Sequence, residues 1–212
     1  MPPDPLRCEY ARLAHRYDTH WRRYHEAALQ RTLAALAPRT DERILDIGCG
    51  TGLLLARLAE KFPDVRLAGV DFTPEMLARA RSRLPSPGSL ARADARHLPF
   101  AAASFDVVVT MSMLHHLDNP AAVFAEAARV LSPGGRLVIT DWCRDFFAMF
   151  LYAHWLRIRK RPPGRVLKAG ELIALAEDAG LHRDSAARFR VRPLWGMMTV
   201  SFVKRIRKPS PA

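Results

Sequence analysis

The sequence predicts an α/β fold: an open, mostly parallel sheet with helices on both faces and a C-terminal antiparallel hairpin strand. Three observations lead there. Five short apolar runs between residues 43 and 141 alternate with helical patterns at most junctions, the order that a parallel sheet with crossover helices produces. The clearest run, Phe105-Asp-Val-Val-Val-Thr-Met111, is nearly continuous in β-branched residues, as strands buried on both faces are. The first run passes straight through a glycine turn into a helix, the kind of junction where such sheets bind ligands. With 212 residues, 49% of them hydrophobic and 25% charged, the chain can bury a full core, and its composition fits neither disorder nor a membrane-embedded protein.

Residues 6–37 read as helical, with Leu6, Tyr10, Leu13 and Tyr17 on one spacing and Ala28, Leu29, Leu33 and Leu36 on another, closed by Pro38. The period then changes. Arg43-Ile-Leu-Asp-Ile47 is the first strand, Gly48-Cys-Gly-Thr-Gly52 the turn, and Leu53 opens a helix that breaks at Pro63. Arg66-Leu-Ala-Gly-Val-Asp71 is the second strand. Thr73 as capping residue and Pro74 at the first helical position start a helix that runs to Leu84, followed by a Pro85-Ser-Pro-Gly88 loop. Ser89-Leu-Ala-Arg-Ala-Asp94 is a weaker third strand, and the valine-rich run is the fourth. Asn119-Pro120 begins a helix that Ser132-Pro-Gly-Gly135 ends, and residues 135–141 form the fifth strand. An aromatic, helix-like insert at 146–160 and a Pro162-Pro-Gly164 loop follow. A helix at 169–179 leads to two strands near 181–192 and 197–205, which the tight Arg192-Pro-Leu-Trp-Gly196 link makes a hairpin.

The formal charge of +12 points first to a nucleic acid or an anionic surface. Its position says more than its size. Residues 144–212 hold 15 basic against 5 acidic side chains, whereas residues 1–143 hold 18 against 16, so the excess belongs to the last third. Cys8, Cys49 and Cys143 are odd in number and lack metal-ligand spacing, which argues against a disulfide framework and a zinc site. The N-terminal Met1-Pro-Pro-Asp-Pro shows no basic-then-apolar signal, and the longest apolar stretch, 146–156, is interrupted by His154 and too short to span a bilayer. These features predict a cytoplasmic protein.

The strand ends are polar in a specific way. Asp46-Ile-Gly48-Cys-Gly50-Thr-Gly52 follows strand one, and its glycines let a ligand approach the backbone. A dinucleotide fingerprint needs its third glycine at residue 53, which is Leu, so nicotinamide and flavin binding lose support. Asp71 ends strand two, nineteen residues past Gly52, where a carboxylate can accept hydrogen bonds from both ribose hydroxyls. A nucleoside without a pyrophosphate fits this pairing.

With Asp94-Ala95 and the fourth strand in order behind them, these motifs resemble the class I S-adenosylmethionine-dependent methyltransferases, over roughly residues 9–142 and in outline beyond. The resemblance implies a Rossmann-like domain with a helical cap over 1–40, a cofactor-binding core over 41–143, an acceptor-side insert over 144–168 and a C-terminal helix and strand pair over 169–205. It implies that Asp46, Gly48 and Gly50, with the backbone of Cys49, hold the methionine moiety of S-adenosylmethionine. Asp71 would take the ribose, Phe72 would pack on the adenine, and Asp94 with the Ala95 amide would read its ring edge. Thr110 and Met111 would face the cofactor across from the glycine loop, and Tyr17 would close over it. A simple aromatic packing role for Tyr17 is the alternative.

Leu114-His115-His116-Leu117 follows strand four, beside the methyl group in such enzymes. An acceptor of high pKa must lose its proton, and histidine titrates in the useful range. Either His115 or His116 is therefore a candidate base, with Asp141 orienting it or binding the acceptor. Alternatively, one histidine caps the turn and the other packs under the sheet. Cys49 needs no covalent role. The Phe146-to-Leu156 insert suggests a lid over a small, partly hydrophobic acceptor, with a membrane-surface helix or a dimer contact as alternatives. Nucleic acid is disfavoured as substrate: similar base methyltransferases carry an Asn/Asp-Pro-Pro-aromatic motif after strand four, where this chain has Met111-Ser-Met-Leu114. Arginines at 157–165, 188–192 and 204–208 could still meet phosphates, and a scaffold held to nucleic acid or an anionic membrane is the competing reading. The motifs specify neither metal nor oligomeric state.

Overall fold

The computed structural model describes residues 5–84, 89–158, 164–191 and 195–206. The expected loop at 85–88, the basic and proline stretch at 159–163 and the link at 192–194 lie outside the described residues. Seven strands form one sheet: β1 (Arg43–Ile47), β2 (Arg66–Asp71), β3 (Ser89–Arg92), β4 (Phe105–Met111), β5 (Leu131–Trp142), β6 (Leu181–Val191) and β7 (Trp195–Lys204). Their order is β3-β2-β1-β4-β5-β7-β6. The first five strands run parallel, and β7 lies antiparallel between β5 and β6. The order reverses between β1 and β4, so a crevice opens beyond the carboxyl ends of these two strands.

Alternation along the central strands sends side chains to two cores. Leu45, Ile47 and Val108 face one layer with Val123 and Phe124 of α6 (Ala121–Val130) and Leu172 and Ala176 of α8 (Ala169–Asp178). Ile44, Val107 and Val109 face the other, with Leu29 and Leu36 of α3 (Arg22–Leu36) and Leu54 and Leu58 of α4 (Leu53–Lys61). Burying each such side chain stabilises the fold by about 1.5–3 kcal/mol before entropy is subtracted. Ionic clips fix the strand edges. Arg43 holds Asp106 through its backbone N–H and its guanidinium, and Arg136 joins Glu42 to the last carbonyls of α3.

Three elements depart from expectation. The N-terminal segment is not one helix but three, α1 (Pro5–Leu13), α2 (Tyr17–His20) and α3, separated at residues 14–16 and at Trp21. No proline or glycine causes the breaks. Contacts with the core accompany them: Arg79 of α5 (Pro74–Arg83) reaches the His15 carbonyl, and Asp18 binds Thr51 and Arg83. Thr73 does precede α5, yet its hydroxyl caps nothing; its N–H instead donates to Asp71. Finally, β5 begins at Leu131 instead of 135, because Leu131 pairs with Phe105 before a bulge resets the ladder at Val107 and Arg136.

Candidate active site

The loop after β1 is shaped by positive φ angles at Gly48, Gly50 and Gly52. At Gly48 a Cβ would lie 2.4 Å from Met113 Cγ, and at Gly52 it would lie 3.0 Å from the Ala80 backbone of α5. Only glycine satisfies both conditions at these positions. The N–H groups of Gly48 and Cys49 donate to the Val70 carbonyl at 2.8 and 2.9 Å, stitching the loop to β2. Gly50 N–H donates to Asp71 Oδ2 at 2.9 Å. Thr51 donates to Asp18 and accepts from Arg83, so α2 and α5 are tied to the same loop.

Above this loop lies a cleft with about 1190 Å³ of empty space, mouth included. Four carboxyl groups, Asp18, Asp46, Asp71 and Asp94, face it against two arginines, Arg7 and Arg96, so the crevice of this basic protein is locally acidic. Asp46 is buried, and its Oδ1 has no hydrogen-bond partner among the described residues. Burial first, and the neighbouring Asp71 charge second, push its pKa up to about 8. Burial also raises Asp71, against the N–H bonds from Thr73 and Gly50 that favour its ionised form. Asp71 keeps acceptor capacity, because a carboxylate has about four lone-pair sites. Phe72 presents a 41% exposed ring, flanked by the Arg92 guanidinium at 5.8 Å.

This donor and acceptor set fits S-adenosylmethionine. A sulfonium and an ammonium group suit an acidic crevice with an unsatisfied carboxyl oxygen at Asp46. Ribose hydroxyls suit Asp71, and a purine suits the exposed Phe72 ring. Asp94 accepts from the Arg96 backbone and guanidinium, so its carboxylate is already turned toward Arg96 while still facing the cleft.

Opposite the glycine loop, β4 ends at Met111. Ser112 turns the chain with φ 60°, and Leu114–His116 form a single 3₁₀ turn. Asp141 holds that turn from β5: its Oδ2 accepts the Leu114 N–H at 2.7 Å, and its Oδ1 meets His115 Nδ1 and the Trp142 N–H, each at 2.6 Å. The His115 ring stacks on Trp142 with centroids 3.8 Å apart. His116, whose ring centroid lies 3.9 Å from that of His115, lines the cleft. Its Nε2 lies 2.6 Å from the Tyr10 hydroxyl of α1. Burial, then the adjacent His115, hold the His116 pKa well below the usual value, and burial holds the Tyr10 phenol well above its own. Both groups are therefore neutral, and the imidazole tautomer sets which of them donates. His25 also faces the cleft, its Nδ1 is buried without a partner among the described residues, and burial lowers its pKa to about 4.

The cleft thus gathers Tyr17, Asp46, Gly48, Cys49, Gly50, Asp71, Phe72, Asp94, Ala95, Met111 and His116. Three expected residues do not line it. Thr110 is 2% exposed, its hydroxyl without a described partner, because strand alternation turns it away from the crevice that Met111 faces. His115 and Asp141 are buried beyond the turn in a packed layer with Leu167 and Met198. The Cys49 thiol is buried, which pushes its pKa far up, and sits against Leu55, Leu77 and Leu84. Sequence reasoning missed Tyr10, His25, Asp18, Ser112 and Met113 as cleft residues. Only Tyr10 left a signal, seven residues before Tyr17 on one stripe. Among the expected phosphate-binding cations, Lys204 is committed inward, donating to the Ala128 and Leu131 carbonyls at 2.7 Å.

Comparison with known proteins agrees with this geometry. The profile of the methyltransferase-domain family matches residues 45–139. A malonyl-[acyl-carrier protein] O-methyltransferase of Hahella chejuensis is 46% identical over 154 residues, 70% of this chain and 54% of that protein. A demethylmenaquinone methyltransferase of Roseiflexus castenholzii is 33% identical over 174 residues, 77% of this chain and 73% of that protein. The chain thus spans about half of the first relative and about three quarters of the second. A solved S-adenosylmethionine-dependent methyltransferase of Thermotoga maritima shares the fold with a TM-score of 0.76 at 21% identity, over 92% of this chain and 98% of that one. On sequence, fold and cleft together, this chain belongs to the class I S-adenosylmethionine-dependent methyltransferases.

Proposed function

We propose that the chain is a working methyltransferase, acting on a small, partly hydrophobic acceptor with His116 as general base. The observation that carries this reading is the neutral imidazole of His116 at the cleft wall, across from the glycine loop and its carboxyl groups. When bound, S-adenosylmethionine supplies an electrophilic methyl group open to in-line displacement. The chain's own residues do the rest. Asp71 and Phe72 orient the nucleoside, and Asp46 lies where a cationic group would remove the burial penalty on its charge. Tyr10, Tyr17 and His25 close the cleft from the N-terminal helices and exclude water. A candidate base must reach the proton that it takes, and His116 Nε2 does so once the Tyr10 hydroxyl gives way to an acceptor hydroxyl or amine.

Leu6, Met111, Met113 and Leu117 make the acceptor end of the cleft apolar, which supports a partly hydrophobic acceptor. The two relatives differ in the acceptors that they are named for, so similarity alone selects neither. An intact glycine loop and Asp71 in the cleft favour the enzyme over a catalytically dead scaffold. Calorimetry with S-adenosylmethionine and its demethylated product tests the cofactor half. Native protein should bind both, and Asp71→Ala should weaken binding about ten- to hundredfold, the worth of hydrogen bonds to a charged group. Binding that is absent in native protein, or unchanged in the variant, overturns the reading.

A further inference from the structure

Helix α7 (Phe147–Ile158) is apolar on two sides, and only one is used. Its inward side packs Met149, Tyr152 and Leu156 against Trp142, Met197 and Trp195. Phe146, just ahead of it, lies so close to Gly196 that a Cβ there would be 2.1 Å from the ring. The helix is therefore anchored. Its outward side nevertheless shows Phe147 at 73% exposure, Phe150 at 48%, Leu151 at 50% and Ile158 at 69%, with Trp155 beside them. These positions recur three and four residues apart, so they form one continuous stripe, and His154 is the one polar residue within it. Contiguous exposed apolar surface of this kind marks an interaction site.

Cations flank the stripe, in the structure at one end and in the sequence at the other. At the N-terminal end the Arg190 guanidinium sits 5.2 Å from the Phe146 ring, and Arg188, 61% exposed, pairs with Asp145. At the C-terminal end the sequence runs on as Arg157-Ile-Arg159-Lys160-Arg161, and no acidic residue occurs from 146 to 170. A second copy of the chain stacked on this stripe would bring no acidic residue of 146–170 to meet these arginines. A nucleic acid would satisfy the arginines but leave the aliphatic and aromatic centre uncovered. A surface of anionic lipid headgroups over acyl chains satisfies both parts. Twelve residues span about 18 Å, too short to cross a hydrocarbon core of about 30 Å, so such a helix lies along the interface.

We infer that the outer face of α7 docks the enzyme on an anionic lipid bilayer, with Phe147, Phe150, Leu151 and Ile158 in the acyl boundary and Arg188 and Arg190 toward the headgroups. The inference does not depend on the methyl-transfer reading. Its test is flotation of the full chain with vesicles of pure phosphatidylcholine and with vesicles in which about a third of the lipid is phosphatidylglycerol. Native protein should prefer the anionic vesicles by about tenfold or more and leave them as salt rises. Combined Phe147→Ser, Leu151→Ser and Ile158→Ser should lower partitioning about tenfold or more, and each of Arg159→Gln, Lys160→Gln and Arg161→Gln about fivefold. Brominated lipid should quench tryptophan fluorescence of the native protein, a readout that needs no variant. Cofactor-product binding should remain native in every variant, which separates lost docking from lost folding. The inference falls if native protein stays with neither vesicle, or if the serine variant floats like native. It falls equally if the serine substitutions instead split a native dimer, or if RNA binding replaces vesicle binding.

Discussion

The two sides of the turn after β4 are chemically unlike, although adjacent residues of one type face them. On the cleft side, His116 meets a phenol, a cavity and the glycine loop. On the packed side, His115 lies between the Asp141 carboxylate and the Trp142 indole, with no room for a ligand. On the proposed mechanism the first imidazole takes the proton, and the second packs behind it, the two ring centroids 3.9 Å apart. A motif of two histidines thus divides into one that lines the cleft and one that is buried, and only tertiary structure says which is which.

The largest expected effect separates the two directly. His116→Ala should lower turnover about 10²–10⁴-fold while leaving cofactor affinity native, as loss of a general base does. His115→Ala should do the reverse. It leaves the Asp141 carboxylate buried with one fewer partner, which lowers unfolding stability by about 3 kcal/mol, while turnover per folded molecule stays near native. Urea melts and single-turnover assays on both variants decide the matter. If His115→Ala loses turnover in a fully folded protein and His116→Ala does not, the division is inverted.

Next in size is an acid effect at the cap. His25 has a folded pKa of about 4, below its unfolded value of about 6.5, so between these values the unfolded chain binds the proton more readily. Its contribution to stability is complete above pH 6.5 and shrinks as pH falls toward 4, by up to about 3 kcal/mol. Urea melts of native protein and His25→Leu at about pH 7.5 and about pH 4.5 should show the native loss and its reduction in the variant. An equal acid loss in both would assign the effect to groups other than His25.

The same contrast explains how much was legible. The glycine loop, Asp71 and Phe72 were readable because each chemical need is met within a few residues of one strand end. The sheet was readable as well, because the nearly continuous apolar run of Phe105–Met111, buried almost throughout, is a local pattern. Tyr10 and His25 were not, since they reach the cleft only through helix breaks that Asp18, Thr51 and Arg83 accompany from separate parts of the chain. Thr110 misled for a smaller reason: strand ends alternate too, so of Thr110 and Met111 only one can face the crevice. Net charge misled most. The chain carries +12, yet four carboxyl groups against two arginines face its cleft, and the basic excess lies beyond it in the last third.

The smallest effect sharpens the cleft side alone. Tyr10 shares a hydrogen bond with His116 Nε2, and a neutral hydrogen bond of this kind is worth about 0.5–1.5 kcal/mol. Tyr10→Phe should therefore change turnover by only about three- to tenfold, far less than His116→Ala. The direction distinguishes two roles. If the phenol merely occupies the place that the acceptor hydroxyl must take, its removal leaves Nε2 open, and turnover rises or holds. If the phenol positions the imidazole, turnover falls with KM little changed. Either way, the acid limb of the rate profile should stay well below pH 6.5, because burial and His115 keep His116 neutral there without help from Tyr10. An acid limb that moves when Tyr10 alone is changed would mean that the proton resides on the phenol and imidazole as a pair, and that His116 is not the base by itself.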